Sequence, residues 1–286
     1  MAIIPDFFMN AVVAIGVDKN EKSKRWIGTG FIVSRKEISE NESINYTYYI
    51  ITNKHVINGK RKIYVRFNAI EGDFIKDYPV DLYDTSGNAL YTSHPDTDSD
   101  VIAFQITPQT LINDKSIWGA FNLDDHALTL KEMETTGVKE GTLVYALGFP
   151  MNLVDVIKTP ICRLGCVSRV FDAFIKKDGY PTFLVDAQVF PGNSGGPIIS
   201  RPEYISIEGT VTNTSANLIG ILSGYIPYKD SLISAQTGEI VMIQRENSGL
   251  TVVHPVDRIK EVVELEWQRI ESYKLVNVDK EEITMN

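Results

Sequence analysis

The 286-residue chain has only two cysteines, Cys162 and Cys166, four positions apart. On one strand their Cα atoms stand about 13 Å apart, beyond the reach of a disulfide. No disulfide framework holds this fold, and free thiols suit a reducing compartment. Long apolar runs are also missing. No uninterrupted stretch approaches the roughly 18 residues of a membrane-spanning helix. Residues 1–10 carry no Lys or Arg, and Pro5, Asp6 and Asn10 break their apolar run. The expectation is therefore no signal peptide, no membrane partner and a cytoplasmic location. Basic charge is in deficit, with 28 Lys and Arg against 37 Asp and Glu for a net charge of −9. Such a surface repels phosphate backbones, so no nucleic-acid partner is expected. His94 and His126 have no companions at metal-ligand spacing, and Cys-x3-Cys on a strand is a poor zinc motif, so neither metal nor cofactor is expected. Gly28-Thr29-Gly30 lacks a third glycine, Val33 standing in its place, and reads as a closely packed strand and not as a nucleotide loop.

What is present is aromatic and β-branched. Hydrophobic residues make up 43% of the chain, with 13 Tyr and 12 Phe, which places it among folded globular proteins. Short runs punctuated by Gly, Pro, Asn and Asp predict strands over 11–17, 26–34, 46–52, 62–67, 80–83, 101–107, 142–148, 162–170, 182–189, 197–200, 218–225 and 249–253. A dozen short strands without intervening amphipathic helices predict an all-β protein of antiparallel sandwiches or barrels. The pattern lapses between Asn113 and Glu140. After Pro255 the apolar residues Val256, Ile259, Val263, Trp267 and Ile270 fall at spacings of three and four, and these with Lys274 predict one helix packed on a barrel. The acidic tail, 276–286, is expected to fray.

The strongest local signal is Phe190-Pro191-Gly192-Asn193-Ser194-Gly195-Gly196-Pro197. It places a serine on a tight turn between strands, with backbone N–H groups free to point outward. A serine nucleophile needs a base, and the base an orienting group. His55 follows the strand over 46–52, and Asp100, with Asp98 two residues before it, opens the strand beginning at Val101. The chain order is thus His, Asp, Ser. Gly192-Asn193-Ser194-Gly195-Gly196 also fits G-x-S-x-G, the nucleophile elbow of α/β-hydrolases, with Asp230 and His254 as partners. An elbow must lead into a helix, however, and Pro197-Ile198-Ile199-Ser200 reads as a strand.

Taken with Trp26-Ile27-Gly28-Thr29-Gly30-Phe31-Ile32-Val33 and Thr52-Asn53-Lys54-His55-Val56, the segments Asp100-Val101-Ile102-Ala103 and Gly192–Pro197 resemble the successive signatures of trypsin-like serine peptidases. Leu147-Gly148-Phe149-Pro150, Leu164-Gly165-Cys166-Val167-Ser168 and Val253–Ile259 are similar to segments of the bacterial HtrA/Deg-type branch. The resemblance covers about residues 10 to 265 and implies two six-stranded antiparallel β-barrels with a C-terminal helix. It divides the chain into a first barrel at 1–125, a second at 126–254, and the helix and tail at 255–286. It implies His55 as general base, Asp100 as its orienting carboxylate, Ser194 as nucleophile, and backbone N–H groups of Gly192, Ser194 and Asn193 as an oxyanion hole. Gln188, Val189, Phe190, Ser223, Gly224, Tyr225 and Gly249 would border the primary specificity pocket. No acidic residue falls where trypsins hold one, so the pocket is expected to take small or aliphatic P1 residues from a protein or peptide substrate. Only about twenty residues follow Glu266, so a bare protease domain without the branch's usual PDZ domain is expected. The rival readings are a catalytically silent binding module of the same fold and a serine esterase.

Overall fold

The computed structural model describes residues 4–20, 23–39, 41–68, 76–155, 159–175, 182–204 and 207–284, without the side chains of Asp155 and 275–284. Eight strands form the first sheet: β1 (Val12–Asn20), β2 (Ser23–Ile38), β3 (Ile44–Thr52), β4 (Lys62–Arg66), β5 (Asp77–Asp81), β6 (Thr92–Ser93), β7 (Ile102–Ile106) and β8 (Phe121–Asn122). Their order is β5-β4-β1-β2-β3-β7-β6, with β8 beside β2. The second sheet comprises β9 (Leu143–Gly148), β10 (Ile161–Arg169), β11 (Phe183–Asp186), β12 (Pro197–Ser200), β13 (Asn217–Ile233) and β14 (Ile240–Pro255). It closes as a barrel in the order β10-β11-β14-β13-β12-β9. The second sheet is the expected closed six-stranded antiparallel barrel; the first, with eight strands where six were expected and β8 parallel to β2, is a half-barrel open between β5 and the β7-β6 edge among the described residues.

Alternation along the strands explains how two cores and the layer between them arise from uninterrupted apolar runs. On β1, Val13 and Ile15 point into the first barrel while Val12 and Ala14 face the inter-barrel layer. Ile32 on β2 and Ile50 on β3 also point into the first barrel, whereas Phe31, Val33, Tyr49 and Ile51 join the layer. These strands are buried on both faces, which is why the sequence shows apolar doublets there and no apolar-polar alternation. Leu147, Ile199 and Ile221 complete the layer from the second barrel.

The C-terminal helix, Val256–Thr284, buries Val256, Ile259, Val262 and Val263 in the same layer. Its backbone runs to Thr284, so the tail expected to fray continues the helix as far as described. No glycine or proline lies between Val256 and Thr284 to stop it. The expected stripe misses two buried positions, Val262 and Glu266; the second is the less ordinary. Its fully buried carboxylate is satisfied by the Arg269 guanidinium at 2.7 and 2.8 Å and by the Thr92 hydroxyl at 2.6 Å.

One feature differs more sharply from expectation. β13 and β14 run well past the barrel as a two-stranded arm, pairing from Pro227↔Asn247 to Ile233↔Ile240, where the sequence predicts no strand. Gly28-Thr29-Gly30 lies within β2 as a packed strand, as expected. A Cβ on Gly28 would stand 2.6 Å from Val56 Cγ1, so the strand can approach the His55 turn only without one.

Candidate active site

Strand register brings the first two predicted residues together. In the antiparallel pair β3–β7, Thr52 lies opposite Ile102. His55, three residues beyond Thr52 on the one-turn helix Lys54–Ile57, therefore meets Asp100, two residues before Ile102. His55 Nδ1 lies 2.5 Å from Asp100 Oδ2, and the His55 backbone N–H donates to Asp100 Oδ1 at 3.1 Å. The Asn53 amide donates to the Asp100 carbonyl at 2.7 Å, locking the two turns. Burial works to raise the Asp100 pKa, but hydrogen bonds from the His55 ring and backbone and from the Ser223 hydroxyl outweigh it and hold the carboxyl below the ordinary carboxylate value.

The segment carrying Asp100 is tied down from outside the first barrel. His94 Nε2 meets Glu261 at 2.6 Å, and Arg258 lies 3.4 Å from Asp96, both partners on the C-terminal helix. The Asp100 N–H donates to Nε2 of the buried His254 at 3.2 Å. His254 sits in β14 and Asp230 on the exposed arm, so the pair that an α/β-hydrolase would need is not assembled. Pro197–Ser200 is a strand, not the helix of an elbow.

Ser194 reaches the same place from the second barrel. The turn is clamped by Leu222, whose carbonyl accepts the Gly195 N–H and whose N–H donates to Gly196, each at 2.8 Å. Thr29, fully buried in β2, binds the turn to the first barrel. Its N–H donates to the Ser194 carbonyl at 2.8 Å, and its hydroxyl donates to the Gly192 carbonyl at 2.6 Å while accepting the Phe149 N–H at 3.0 Å. The Ser194 hydroxyl donates to the Ser223 carbonyl at 2.9 Å, and the Ser223 hydroxyl to Asp100 Oδ2 at 2.9 Å. Ser223, expected only as pocket wall, thus touches both predicted residues. His55 Nε2 has no hydrogen-bond partner among the described residues.

Backbone donors are presented beside Ser194. The Met151 N–H donates to the Pro191 carbonyl at 2.7 Å. In a trans peptide the N–H points opposite the C=O, so the Gly192 N–H is turned away from Met151. Neither it nor the Ser194 N–H has an acceptor among the described residues. Gly192 has φ of 103°, and a Cβ there would stand 2.5 Å from the Phe149 carbonyl. Asn193, expected as a third donor, is not available, because its N–H is spent on the Phe190 carbonyl at 3.0 Å and its side chain is buried.

The expected pocket residues divide. Val189 is buried and its carbonyl accepts the Asn247 amide at 2.6 Å; Gly224 faces open space; Tyr225 is exposed. Gln188 does not join them. It lines a separate cavity of ≈ 590 Å³ along β10, with Cys162, Arg163, Cys166 and Asp186, because alternation turns Ala187 and Val189 inward and Gln188 out. Phe190 packs its ring under the Arg163 guanidinium at 4.9 Å. Gly249 lies at the base of the arm, with φ of 84°.

The profile of the trypsin-like peptidase domain matches residues 28–203, more than half of the chain and the span holding His55, Asp100 and Ser194. The chain belongs to this family. Two curated relatives are named probable periplasmic serine endoprotease DegP-like. The protein from Halomonas elongata is 26% identical over 72% of this chain and 34% of its own length. That from Marinomonas sp. is 24% identical over 71% of this chain and 33% of its own. The chain thus spans about a third of the curated relatives it matches. Among solved structures, the MamO protease domain of Magnetospirillum magneticum (apo form) is 18% identical, with a TM-score of 0.46 over 88% of this chain and 95% of that one. Rv3671c protease in its inactive form is 16% identical, with a TM-score of 0.44 over 90% and 89%. Among the described residues no helix is long and apolar enough to cross a membrane, and no group of three or more His, Cys, Asp or Glu is placed to hold a metal ion.

Proposed function

We propose that this domain is a serine endopeptidase in which His55, Asp100 and Ser194 act as one unit. The observation that carries this reading is the hydrogen-bonded chain from His55 through Asp100 and Ser223 to Ser194, which spans both barrels. Rotation of the Ser194 side chain turns its hydroxyl from the Ser223 carbonyl to the unpartnered His55 Nε2. The imidazole then takes the proton as Oγ attacks the scissile carbonyl carbon. Asp100 holds Nδ1–H and stabilises the imidazolium. The Gly192 and Ser194 N–H groups meet the negative oxygen of the tetrahedral intermediate. His55 returns the proton to the leaving amine, and a water deprotonated by the same imidazole hydrolyses the acyl-enzyme.

The P1 residue is small or aliphatic on this reading, because the position of Val189 brings no acidic side chain to the site and Tyr225 narrows the entrance. One observation favours a second reading. Since the Ser194 hydroxyl rests on Ser223, a binding module with a silent site would show the same contact. Incubation with a denatured protein and mass spectrometry of the fragments separates the two. Cleavage after Val, Ala or Leu that disappears in Ser194→Ala supports the endopeptidase; intact substrate, or cleavage of esters alone, contradicts it. The unbridged Cys162 and Cys166 suit a reducing compartment, whereas the curated relatives carry periplasmic names; cell fractionation decides the location.

A further inference from the structure

The arm formed by β13 and β14 concentrates exposed apolar side chains. Tyr228, Leu232, Ile233, Val241, Met242 and Ile243 are each more than half exposed. Leu232 lies opposite Met242, with Tyr228 on the same face, while Ile233 and Ile243 point to the other. A two-stranded ribbon without a covering layer is at best marginal in water. One edge of the arm is also free. β12 pairs with β13 only from Asn217 to Ile221, and Leu222 closes that ladder on Gly195 and Gly196. From Ser223 to Ile233 the side of β13 away from β14 has no strand partner among the described residues. This edge starts at the nucleophile, because the Ser223 carbonyl accepts the Ser194 hydroxyl.

We propose that the free edge of β13 is a substrate track, on which an extended segment of the polypeptide being cleaved adds as a further strand beyond Tyr225. This rests on the endopeptidase reading and specifies its substrate as a long, extended chain with apolar side chains at alternate positions. Strand polarity sets the side of the scissile bond. β13 runs outward from Ser194, and an antiparallel partner, the better-paired arrangement, runs inward from the tip. The residues on the arm therefore precede the bond that is cut. Tyr225 to Ile233 spans about 26 Å at ~3.3 Å per residue, so the track adds subsites for roughly eight residues. Backbone bonds give the pairing and the apolar face of Tyr228 and Leu232 gives the preference.

Pro227 argues for a substrate over a second copy of the arm. The Ile226 carbonyl accepts the Ser248 hydroxyl on the β14 side, so the ring nitrogen of Pro227 lies on the free edge, where it has no N–H to give. A substrate strand meets that gap once, whereas two arms paired about a two-fold axis would meet it twice.

Three fluorogenic peptides sharing one central sequence test the proposal: one of eight residues, one extended by eight apolar-alternating residues at its N-terminus, and one extended likewise at its C-terminus. They are given to the full chain and to a variant in which residues 229–245 are replaced by Asn-Gly, joining the opposed Tyr228 and Glu246. The N-terminal extension is expected to raise kcat/KM about tenfold in the full chain through binding energy remote from the scissile bond. The shortened variant should cleave the short peptide at the same rate and lose the gain. Equal rates for short and N-extended peptides, a gain that survives shortening, or an equal gain from the C-terminal extension would overturn the proposal. So would a full chain that sediments as a dimer, a shortened one that is a monomer, and no effect of length. Fluorescence anisotropy of the labelled N-extended peptide on Ser194→Ala reads the track without catalysis. Tight binding there together with no turnover by the full chain would refute the endopeptidase reading alone; no preference over the short peptide would refute the track.

Discussion

Thr29 is one of the residues on which the two barrels meet at the site. Its hydroxyl is fully buried and both donates and accepts, so Thr29→Val keeps the shape but leaves the Gly192 carbonyl and the Phe149 N–H unpaired. The expected cost is about 1–3 kcal/mol in urea unfolding. Because the Gly192 peptide is no longer held, kcat should also fall while KM for a short peptide changes little. A variant as stable and as active as the parent would show that the contact is incidental. Asp100 and Asp98 provide a second comparison at this scale. Asp100 meets both His55 and Ser223, whereas Asp98 is exposed and has no side-chain contact with His55. Asp100→Asn should lose roughly 10²-fold or more in kcat/KM, within the range of general acid–base catalysis, and Asp98→Asn should stay near the parent. Equal damage from both would remove Asp100 from its role.

Acid should act on the fold through Asp100. Folding lowers the Asp100 pKa, so its contribution to stability is present above the unfolded value of 3.8 and is lost as pH falls towards the lower native one. Urea titrations from pH 6 to 3 of the parent and Asp100→Asn should therefore converge with acid. A gap that stays constant down to pH 3 would contradict the assignment.

Among the elements, the twelve strands were legible because each carries its own apolar run and its own turn residues. The two-residue strands β6 and β8 have no such pattern, and only tertiary pairing defines them. The arm was hidden for another reason. Its residues between Pro227 and Asn247 mix Lys229, Asp230, Arg245 and Glu246 with Ile and Met, and the lack of clean alternation follows from two exposed faces instead of a buried one. In the helix, the period showed Val256, Ile259 and Val263 but not Glu266, because a buried carboxylate reads as surface until its partners Arg269 and Thr92 are seen. Glu266→Ala leaves Arg269 without its buried partner and should cost about 3 kcal/mol in thermal or urea unfolding. A change below about 0.5 kcal/mol, as at an ordinary surface site, would mean that Glu266 does not anchor the helix.

At the scale of the whole molecule, the candidate site is a product of the interface between two sheets. The glycines, His55, Asp100 and Ser194 were legible because they are local motifs. Ser223 as a bridge, Thr29 as a clamp and the outward turn of Gln188 were not, since each depends on which face of a strand meets the other barrel. No single strand holds the arrangement. It depends on the inter-barrel layer of Phe31, Ile51, Leu147 and Ile199 and on the helix that pins the Asp100 segment. The central claim, that this interface assembles a working nucleophile, is tested most directly by reacting the purified chain with a fluorophosphonate and locating the adduct by mass spectrometry. The account predicts one adduct, on Ser194, formed rapidly by the parent and very slowly by His55→Ala. No adduct, or labelling at Ser194 that is as fast without His55, would contradict it.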